Sequence, residues 1–439
     1  MTPPEPSDAR PVLVEGGHVL DPASGLDARA DILLRDGRIE GVGLNLGAPD
    51  GARRLDARNL LVLPGLVDLR AFVGEPGAEE RESLETASAA AAAGGVTTLL
   101  AMPETSPPVD DPALVDFIKR RAREASCVNV LPSAALTKGL AGREMTEFGL
   151  LLEAGAVALT DGARSVADAR VMRRALTYAR DFGALVMHHT HDSALAGGGV
   201  MNEGERASRL GLPGAPREAE TIVLERDLAL VRLTGARYHA AGVTCAASLA
   251  ALRRAKEAGL PVTAAASVNH LTLNENDVGD YRTFCKVSPP LRSEEDRLAL
   301  AEAVASGLVD VIVSDHNPQD VETKRQPFAE SADGAVGLET LLSASLRLVH
   351  AGVIALPRLV EALSLGPARL IGADAGRIAR GAPADLVLLD LDRPWVVDRE
   401  GLRSRSKNSP FDEARLTGRV AATLVAGRVV FRLEEPAPV

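Results

Sequence analysis

Side chains that could bind a metal ion or transfer a proton follow three apolar runs in the middle of the chain. His188 opens the run His-His-Thr-His at 188–191, Asp161 follows the run at 156–159, and Asp315 follows the run at 309–313. Imidazole and carboxylate groups ligate zinc and also act as general acids and bases. These three residues could therefore hold a metal ion if the fold brings them together. In the alternative interpretation, Asp161 is a turn residue and the histidines line the rim of a domain.

The elements that must position these residues alternate between strands and helices. Apolar, strand-like runs lie at 65–69, 97–101, 128–131, 156–159, 184–187, 236–239, 261–265 and 309–313. Helix-like segments fall between them, for example at 83–93, 165–181, 247–258 and 294–306. About eight such units over roughly 300 residues are typical of a (β/α)8 barrel, although a doubly wound sheet gives a similar alternation. In a barrel, the residues that follow the strands all meet at one mouth.

Both ends of the chain differ from this middle part. They contain short strand-like runs separated by turn sequences such as Asp-Gly at 36–37 and Gly-Arg at 427–428. We therefore expect three segments in an α/β protein. Residues 1–63 and 373–439 would form the two parts of one small β domain, and residues 64–372 would form the barrel.

Composition excludes several classes of protein. The chain has 439 residues, 46% of them hydrophobic, and a formal net charge of −11 that is spread along the sequence. A nucleic acid or an anionic membrane would require a basic face, so we expect neither as a partner. The three cysteines are far apart, the first ten residues have no apolar signal segment, and no apolar run is long enough to span a membrane. These features predict a cytoplasmic protein.

Short motifs stand at the strand ends of the expected barrel. They are Pro-Gly-Leu-Val-Asp at 64–68, Glu-Pro-Gly at 75–77, Ala-Ala-Gly-Gly-Val-Thr-Thr at 92–98, Ala-Met-Pro at 101–103, Ala-Leu-Thr-Lys-Gly at 135–139, Leu-Thr-Asp-Gly at 159–162, Pro-Pro-Leu-Arg at 289–292 and Ser-Asp-His at 314–316. In order and spacing they resemble the dihydroorotases of the amidohydrolase superfamily, in the bacterial branch that uses a metal-bridging aspartate. The resemblance implies a (β/α)8 TIM-type barrel with a small β-sandwich built from both termini.

The resemblance also implies a metal site, of which this chain keeps only part. Active members have a His-x-His pair of ligands after the first barrel strand, and here these positions are Arg70 and Phe72. Neither side chain can donate a lone pair to a metal ion. Three ligand positions remain as vestiges: Asp161, His188 and Asp315, the last being also the general base of active relatives. The resemblance places a further ligand histidine at Gly242. We therefore expect no metal and no other cofactor, although active relatives use zinc.

The positions that bind substrate in the family are changed as well. The arginine that grips the substrate carboxylate is replaced by Gly74, and an asparagine is replaced by Glu104. In the later motifs, Ser288 replaces another asparagine and Gln319 replaces a histidine. We expect no catalytic, metal or substrate residue to function in this pocket.

These losses predict a catalytically inactive dihydroorotase-like protein, a pseudoenzyme that acts as a structural partner of aspartate transcarbamoylase in pyrimidine biosynthesis. Such a role implies homo- and hetero-oligomers. In the alternative interpretation, the chain is an active amidohydrolase, a dihydroorotase or another cyclic amidase, with a reduced metal site held by His188 and Asp315. A third possibility is an interaction module in another complex. Copurification distinguishes the two non-enzymatic interpretations.

One geometric prediction concerns the two carboxylates, Asp161 and Asp315. Without a metal ion they would repel each other in a partly buried barrel mouth. Arg70 replaces a ligand at the end of the first barrel strand, and its guanidinium can bind a carboxylate through two hydrogen bonds. We therefore predict that Arg70 forms an ion pair with Asp315 or Asp161, and that Phe72 fills the remaining space.

Overall fold

The computed structural model describes residues 10–434. Residues 1–9 and 435–439, which belong to the predicted first and third segments, lie outside the described residues. The prediction that the first ten residues contain no signal segment therefore also falls almost entirely outside them. The domain boundaries at 63 and 372 stay predictions.

Strands occupy both ends of the chain and recur through its middle. They are β1 (Val12–Asp21), β2 (Leu26–Arg35), β3 (Arg38–Gly43), β4 (Arg53–Asp56), β5 (Leu61–Pro64), β6 (Leu66–Ala71), β7 (Val96–Ala101), β8 (Asn129–Pro132), β9 (Leu185–His188), β10 (Met201–Asn202), β11 (Gly214–Ala215), β12 (Arg237–Ala240), β13 (Val262–Ser267), β14 (Val311–Val313), β15 (Leu386–Val396), β16 (Arg415–Val425) and β17 (Arg428–Arg432).

Helices separate the strands of the middle part. The α-helices are α1 (Leu84–Ala93), α2 (Pro112–Ala125), α3 (Phe148–Ala154), α4 (Ala169–Asp181), α5 (Ser193–Ala196), α6 (Glu205–Leu210), α7 (Glu218–Thr234), α8 (Ala246–Glu257), α9 (Val268–Thr272), α10 (Glu294–Ala305), α11 (Val321–Lys324), α12 (Leu341–His350), α13 (Leu356–Val360) and α14 (Gly366–Ile371). Several begin where a side chain accepts a hydrogen bond from the first turn, as Ser83 does for α1, Asp168 for α4 and Ser293 for α10.

The middle strands form a parallel barrel, which confirms the predicted fold class. One sheet runs β6-β7-β8 and another runs β14-β13-β12-β9. Isolated parallel bridges join them: Leu159 pairs with both Ala134 and Val186, and Ala71 pairs with His316. The expected fourth strand at 156–159 is thus reduced to single bridges around Leu159. The ring closes between β14 and β6, so residues after these two strands are neighbours.

Burial along the barrel strands follows the alternation expected of a barrel. Val67 and Leu69 belong to a buried cluster of inward-facing side chains, together with Leu100, Leu185, Met187, Ala265, Val311 and Val313. Leu66, Val96 and Leu99 belong instead to the large cluster that includes the helices. Successive side chains of a strand point to opposite faces, which explains this division. The barrel interior is therefore packed, and chemistry is confined to its ends.

Strands from both ends of the chain share one eight-stranded sheet, in the order β17-β16-β15-β5-β1-β2-β3, with β4 pairing to β1. β15 pairs antiparallel with β5 through Leu386 and Pro64, so the two termini are joined directly. This β-rich part has a buried apolar cluster of its own, which includes Ile32 and Leu386. Within residues 10–434, no helix combines the length and the apolar character needed to cross a bilayer.

Candidate functional site

The residues at the carboxyl ends of β6, β9, β12 and β14 define the candidate site. Arg70 is the second-to-last residue of β6, His188 ends β9, and Asp315 follows β14 by two residues. Asp161 follows the bridge at Leu159. Because these strands are parallel and belong to one closed barrel, their carboxyl ends meet at the same mouth.

Arg70 and Asp315 form an ion pair across the closure of the barrel. Arg70 Nε lies 3.0 Å from Asp315 Oδ1, and each side chain is only 12% exposed. Arg70 Nη1 lies 3.4 Å from the carbonyl oxygen of Ala241, beyond the end of β12. The predicted pairing of Arg70 with a carboxylate is confirmed, with Asp315 as the partner. A positive charge is thus held at the centre of the strand ends.

The backbone holds Asp315 in an unusual conformation. Its φ angle is +52°, in the left-handed region that non-glycine residues rarely occupy. The neighbouring residues are fixed on both sides, since Ser314 donates its backbone N–H to Asp68 and Phe72 donates its own to the carbonyl of His316. Strained residues that the surrounding structure holds in place are common at functional sites.

Asp161 is buried, and both of its carboxylate oxygens are occupied. Oδ1 accepts a hydrogen bond of 2.8 Å from the backbone N–H of Thr137, and Oδ2 accepts one from the hydroxyl of the same residue. Burial raises the pKa of the Asp161 carboxyl, although these hydrogen bonds oppose the rise. Asp161 therefore connects two loops of the barrel mouth and does not face Arg70 as an ion-pair partner.

His188 is fully buried and uses both ring nitrogens within the protein. Its Nε2 accepts a 2.8 Å hydrogen bond from the backbone N–H of Val166, which places the ring proton on Nδ1. Nδ1 then donates to Asp227 Oδ2 at 2.6 Å. Asp227, also buried, receives further hydrogen bonds from Tyr238 and Arg226. No lone pair of the imidazole is left for a metal ion.

The side chains present do not fit the metal ion that the family resemblance implies. Asp315 is paired with Arg70, and Asp161 is hydrogen-bonded to Thr137. His188 is hydrogen-bonded to Val166 and Asp227. Within the described part of the chain, no group of three or more His, Cys, Asp or Glu side chains is arranged to hold a metal ion. We therefore derive no chemical step through a metal. Whether the protein carries zinc stays a prediction.

The positions that the resemblance assigns to substrate binding lie in the loops of the mouth. A Cβ atom on Gly74, whose φ is +71°, would lie 2.0 Å from the carbonyl oxygen of Glu82, so this backbone cannot carry an arginine there. Glu104 accepts a 2.8 Å hydrogen bond from the N–H of Ala163, and burial raises the pKa of its carboxyl. Arg70 and other nearby cations oppose that rise.

Ser288 and Gln319, the two later positions that the resemblance assigns to substrate binding, lie in the surrounding loops. Gln319 donates from Nε2 to the carbonyl of Asp333 at 2.8 Å and to Asn317 Oδ1 at 3.1 Å. Ser288 is partly buried and precedes Pro289. Phe72 is 5% exposed, and the guanidinium of Arg81 lies 4.0 Å from the centre of its ring. Phe72 thus fills part of the mouth, in the way the sequence predicts.

A second group of side chains was not assigned a role from the sequence. We call it the unpartnered cluster because each member has a buried polar atom with no hydrogen-bond partner among residues 10–434. The atoms are His189 Nδ1, His191 Nδ1, Asn269 Nδ2 and Oδ1, His270 Nδ1, and Arg292 Nη2. Buried polar groups are nearly always hydrogen-bonded, so several unsatisfied ones at one end of a barrel indicate a place for a polar ligand or water.

Electrostatic interactions tie the unpartnered cluster to the Arg70–Asp315 pair. Burial lowers the pKa of His189 well below its usual value, and the nearby charge of Arg70 adds to this effect. Burial also lowers the pKa of His270, which Asp315 opposes. The rings of His189 and His191 lie 5.7 Å apart. Their lowered pKa values favour the neutral form of His189 and His270, and a neutral imidazole can both donate and accept hydrogen bonds.

Arg292 anchors the far side of the unpartnered cluster. It is almost fully buried and donates from Nε to Thr244 Oγ1 at 3.0 Å and from Nη1 to the carbonyl of Ala215 at 3.2 Å. Glu220, also buried, lies 3.9 Å from Nη2 and balances the charge. The signal that could have identified the cluster is position: residues 189, 191, 269 and 270 all follow barrel strands within a few residues.

Comparisons with known proteins identify the family. The family model described as Dihydro-orotase-like matches residues 59–248. A protein named Dihydroorotase from Anaeromyxobacter dehalogenans (strain 2CP-1) is 46% identical over 95% of this chain and 97% of its own length. One of the same name from Pelobacter propionicus is 42% identical over 96% and 99%. Among solved structures, L-hydantoinase (dihydropyrimidinase) from Arthrobacter aurescens has a TM-score of 0.88 at 28% identity, covering 97% of this chain and 96% of that one.

These relatives contradict the prediction of a catalytically inactive partner of aspartate transcarbamoylase. Proteins that share 40–46% of their residues with this chain over nearly its whole length are named Dihydroorotase, so the comparisons favour an enzyme and the alternative interpretation. The prediction rested on the residue types at the ligand positions alone, and the names of these full-length relatives overturn it. Assembly with other chains stays a prediction. By sequence and by fold, the chain belongs to the dihydroorotase-like family of the amidohydrolases.

Proposed function

We propose that this chain hydrolyses the ring amide of a cyclic amide of the dihydroorotate class at the mouth of its barrel. The observation that carries the proposal is the unpartnered cluster beside the Arg70–Asp315 pair. The names of the full-length relatives support the substrate class.

The unpartnered cluster suits a ring amide because such a ring presents both hydrogen-bond donors and acceptors. Asn269 offers one amide donor group and one acceptor oxygen, and both lack partners in the described part of the chain. His270 donates from Nε2 to the carbonyl of Pro289 at 3.0 Å, which leaves the lone pair of Nδ1 free to accept. Arg292 Nη2 supplies a cationic donor. A polar ring bound here would satisfy buried groups that otherwise cost free energy.

Asp315 is the group that activates water in this proposal. Its carboxylate accepts a proton from a water molecule whose oxygen bonds to the ring carbonyl carbon. The ring carbon–nitrogen bond then breaks, and the proton passes from Asp315 to the leaving nitrogen, which regenerates the carboxylate. Arg70 keeps Asp315 oriented throughout. A guanidinium does not ionise a bound water at neutral pH as zinc does, so we expect slow turnover.

The test is an assay of ring opening with the purified chain. Dihydroorotate, hydantoin and dihydrouracil are supplied in separate reactions, and the open-chain products are separated and quantified. We expect turnover of dihydroorotate and a loss of about 100-fold or more in Asp315→Asn, since a general base contributes at least that much. Asp181→Asn, which removes an exposed carboxylate on α4, is the matched control and should retain full activity. No turnover of any of the three rings, or full activity in Asp315→Asn, would contradict the proposal.

A further inference from the structure

Gly242 and Arg70 occupy one space at the barrel mouth. A Cβ atom added to Gly242 would lie 3.3 Å from Arg70 Nη1. Apart from its chain neighbours, no other described heavy atom would lie within 4 Å of that Cβ atom. The backbone of Gly242 is outside the left-handed region, so its conformation does not require glycine. The absence of a side chain at this position therefore makes room for the guanidinium.

Arg70 is held in that space by several interactions. Nε pairs with Asp315 at 3.0 Å, and Nη1 reaches the carbonyl of Ala241 at 3.4 Å. Its charge also acts on Glu104 and His189, which come from two other strand ends. One fixed cation thus acts on the carboxylates of Asp315 and Glu104 and on the imidazole of His189, which come from different strand ends of the barrel.

We propose that the Arg70 guanidinium is a built-in cation that takes the place of the metal ion, and that Gly242 is its matched partner. The family resemblance assigns ligand histidines to both positions, and here one has become the cation and the other the space that accommodates it. The chain therefore folds and holds Asp315 without a bound metal. This inference does not depend on the proposed hydrolysis, because it concerns the charge and packing of the site.

The first test measures metal content and its effect on stability. The protein is purified from cells grown with added zinc, and zinc, manganese, iron and cobalt are quantified by mass spectrometry. We expect less than about 0.1 metal ion per chain, and a Tm that changes by less than about 1 °C with chelator or added zinc, because a ligand that does not bind the native state does not stabilise it. A full equivalent of tightly held metal, or a clear fall in Tm on chelation, would overturn the proposal.

The second test measures the coupling of the two positions. Gly242→Val should lower the Tm by about 3 °C or more, since the new side chain must displace a guanidinium held by an ion pair. In the Arg70→Ala background the same substitution should cost clearly less. Gly198→Val is the control, because a Cβ atom there meets nothing within 4 Å. It should have the same effect in both backgrounds.

Equal costs of Gly242→Val with and without Arg70 would show that the two residues are not matched. If Arg70→Ala does not fold, Arg70→Lys serves instead. Its smaller head leaves the space near Gly242 partly open and should reduce the cost of Gly242→Val. No reduction in that variant would equally contradict the matched pair.

Discussion

The barrel mouth has two groups of polar side chains that differ in how their hydrogen-bonding atoms are satisfied. In one group, Asp161, His188 and His316 have these atoms occupied by protein groups, and we call them the paired cluster. In the other group, the unpartnered cluster of His189, His191, Asn269, His270 and Arg292 retains buried atoms without hydrogen-bond partners among residues 10–434. His188 and His189 are neighbours at the end of one strand and are both buried, so position and burial do not explain the difference.

The difference indicates that the two clusters have different roles. Fully satisfied buried networks stabilise one arrangement of the chain, whereas unsatisfied buried groups carry a free-energy cost that a ligand can remove. We infer that the paired cluster, which includes the ligand positions Asp161 and His188 that the resemblance implies, holds the loops of the mouth together. In the proposed function, the unpartnered cluster faces the substrate. It lies beside the Arg70–Asp315 pair through His189 and His270.

The largest expected effect lies in the paired cluster. Asp227→Ala removes the partner of His188, Tyr238 and Arg226 in a fully buried setting. Breaking a buried ion pair from one side leaves uncompensated polar groups, so we expect a loss of about 3–5 kcal/mol in the free energy of unfolding, measured by urea denaturation. Asp181→Ala removes an exposed partner of Arg180 and should cost under about 1 kcal/mol. If Asp227→Ala and Asp181→Ala lower the free energy of unfolding equally, the paired cluster does not have the structural role inferred here.

An intermediate effect concerns acid. His239, fully buried on β12, has a pKa lowered to about 3 by burial and by Lys256, against 6.5 when exposed. Because the folded pKa is the lower one, the unfolded chain binds more protons as the pH falls from 6.5 toward 3. His239 therefore contributes stability above pH 6.5 that is lost on acidification, about 2 kcal/mol between pH 6.5 and pH 5.

The measurement is the free energy of unfolding as a function of pH. His239→Gln should flatten the slope over this interval by that amount. The exposed histidine at the end of α12 provides the control, and His350→Gln should leave the slope unchanged. A wild-type slope that persists in His239→Gln would show that His239 is not the buried neutral group described above.

The smallest expected effect on the free energy of unfolding is also the one that best distinguishes the two clusters. Asn269→Leu replaces a buried amide that has no hydrogen-bond partner among residues 10–434, so the free energy of unfolding should change by less than about 1 kcal/mol. The same change removes hydrogen bonds to the bound ring, so kcat/KM for ring opening should fall by about tenfold, equivalent to 1.4 kcal/mol. A large loss of stability with unchanged kcat/KM would show that Asn269 stabilises the fold and does not bind the substrate.

Much of the fold was predictable because it depends on local patterns. Apolar runs such as 184–187 and 309–313 correspond to β9 and β14, and helix-like segments such as 294–306 correspond to α10. The Arg70–Asp315 pair was also predictable, since the closure of a barrel brings the ends of its first and last strands together. The sequence left the choice between Asp315 and Asp161 as the partner open, and the structure shows Asp315.

The remainder of the site depends on contacts that sequence patterns do not encode. Both ring nitrogens of His188 are hydrogen-bonded, one to Asp227, which is 39 residues away in the sequence, and the other to the backbone N–H of Val166. Asn269 stands out only because its buried amide has no hydrogen-bond partner among residues 10–434. Residue types at the ligand positions revealed what the site had lost and not what replaced it. The prediction of a catalytically inactive protein rested on these residue types, and the names of the full-length relatives contradict it.

The most direct test is a crystal structure of the protein with dihydroorotate or its ring-opened product. The central claim is that the unpartnered cluster binds the substrate beside the Arg70–Asp315 pair. The ligand should therefore lie within hydrogen-bonding distance of Asn269 and Arg292, with its ring carbonyl facing Asp315 and Arg70 still paired to that carboxylate. A ligand bound elsewhere, or a mouth in which only ordered waters satisfy these groups at saturating ligand, would contradict the claim.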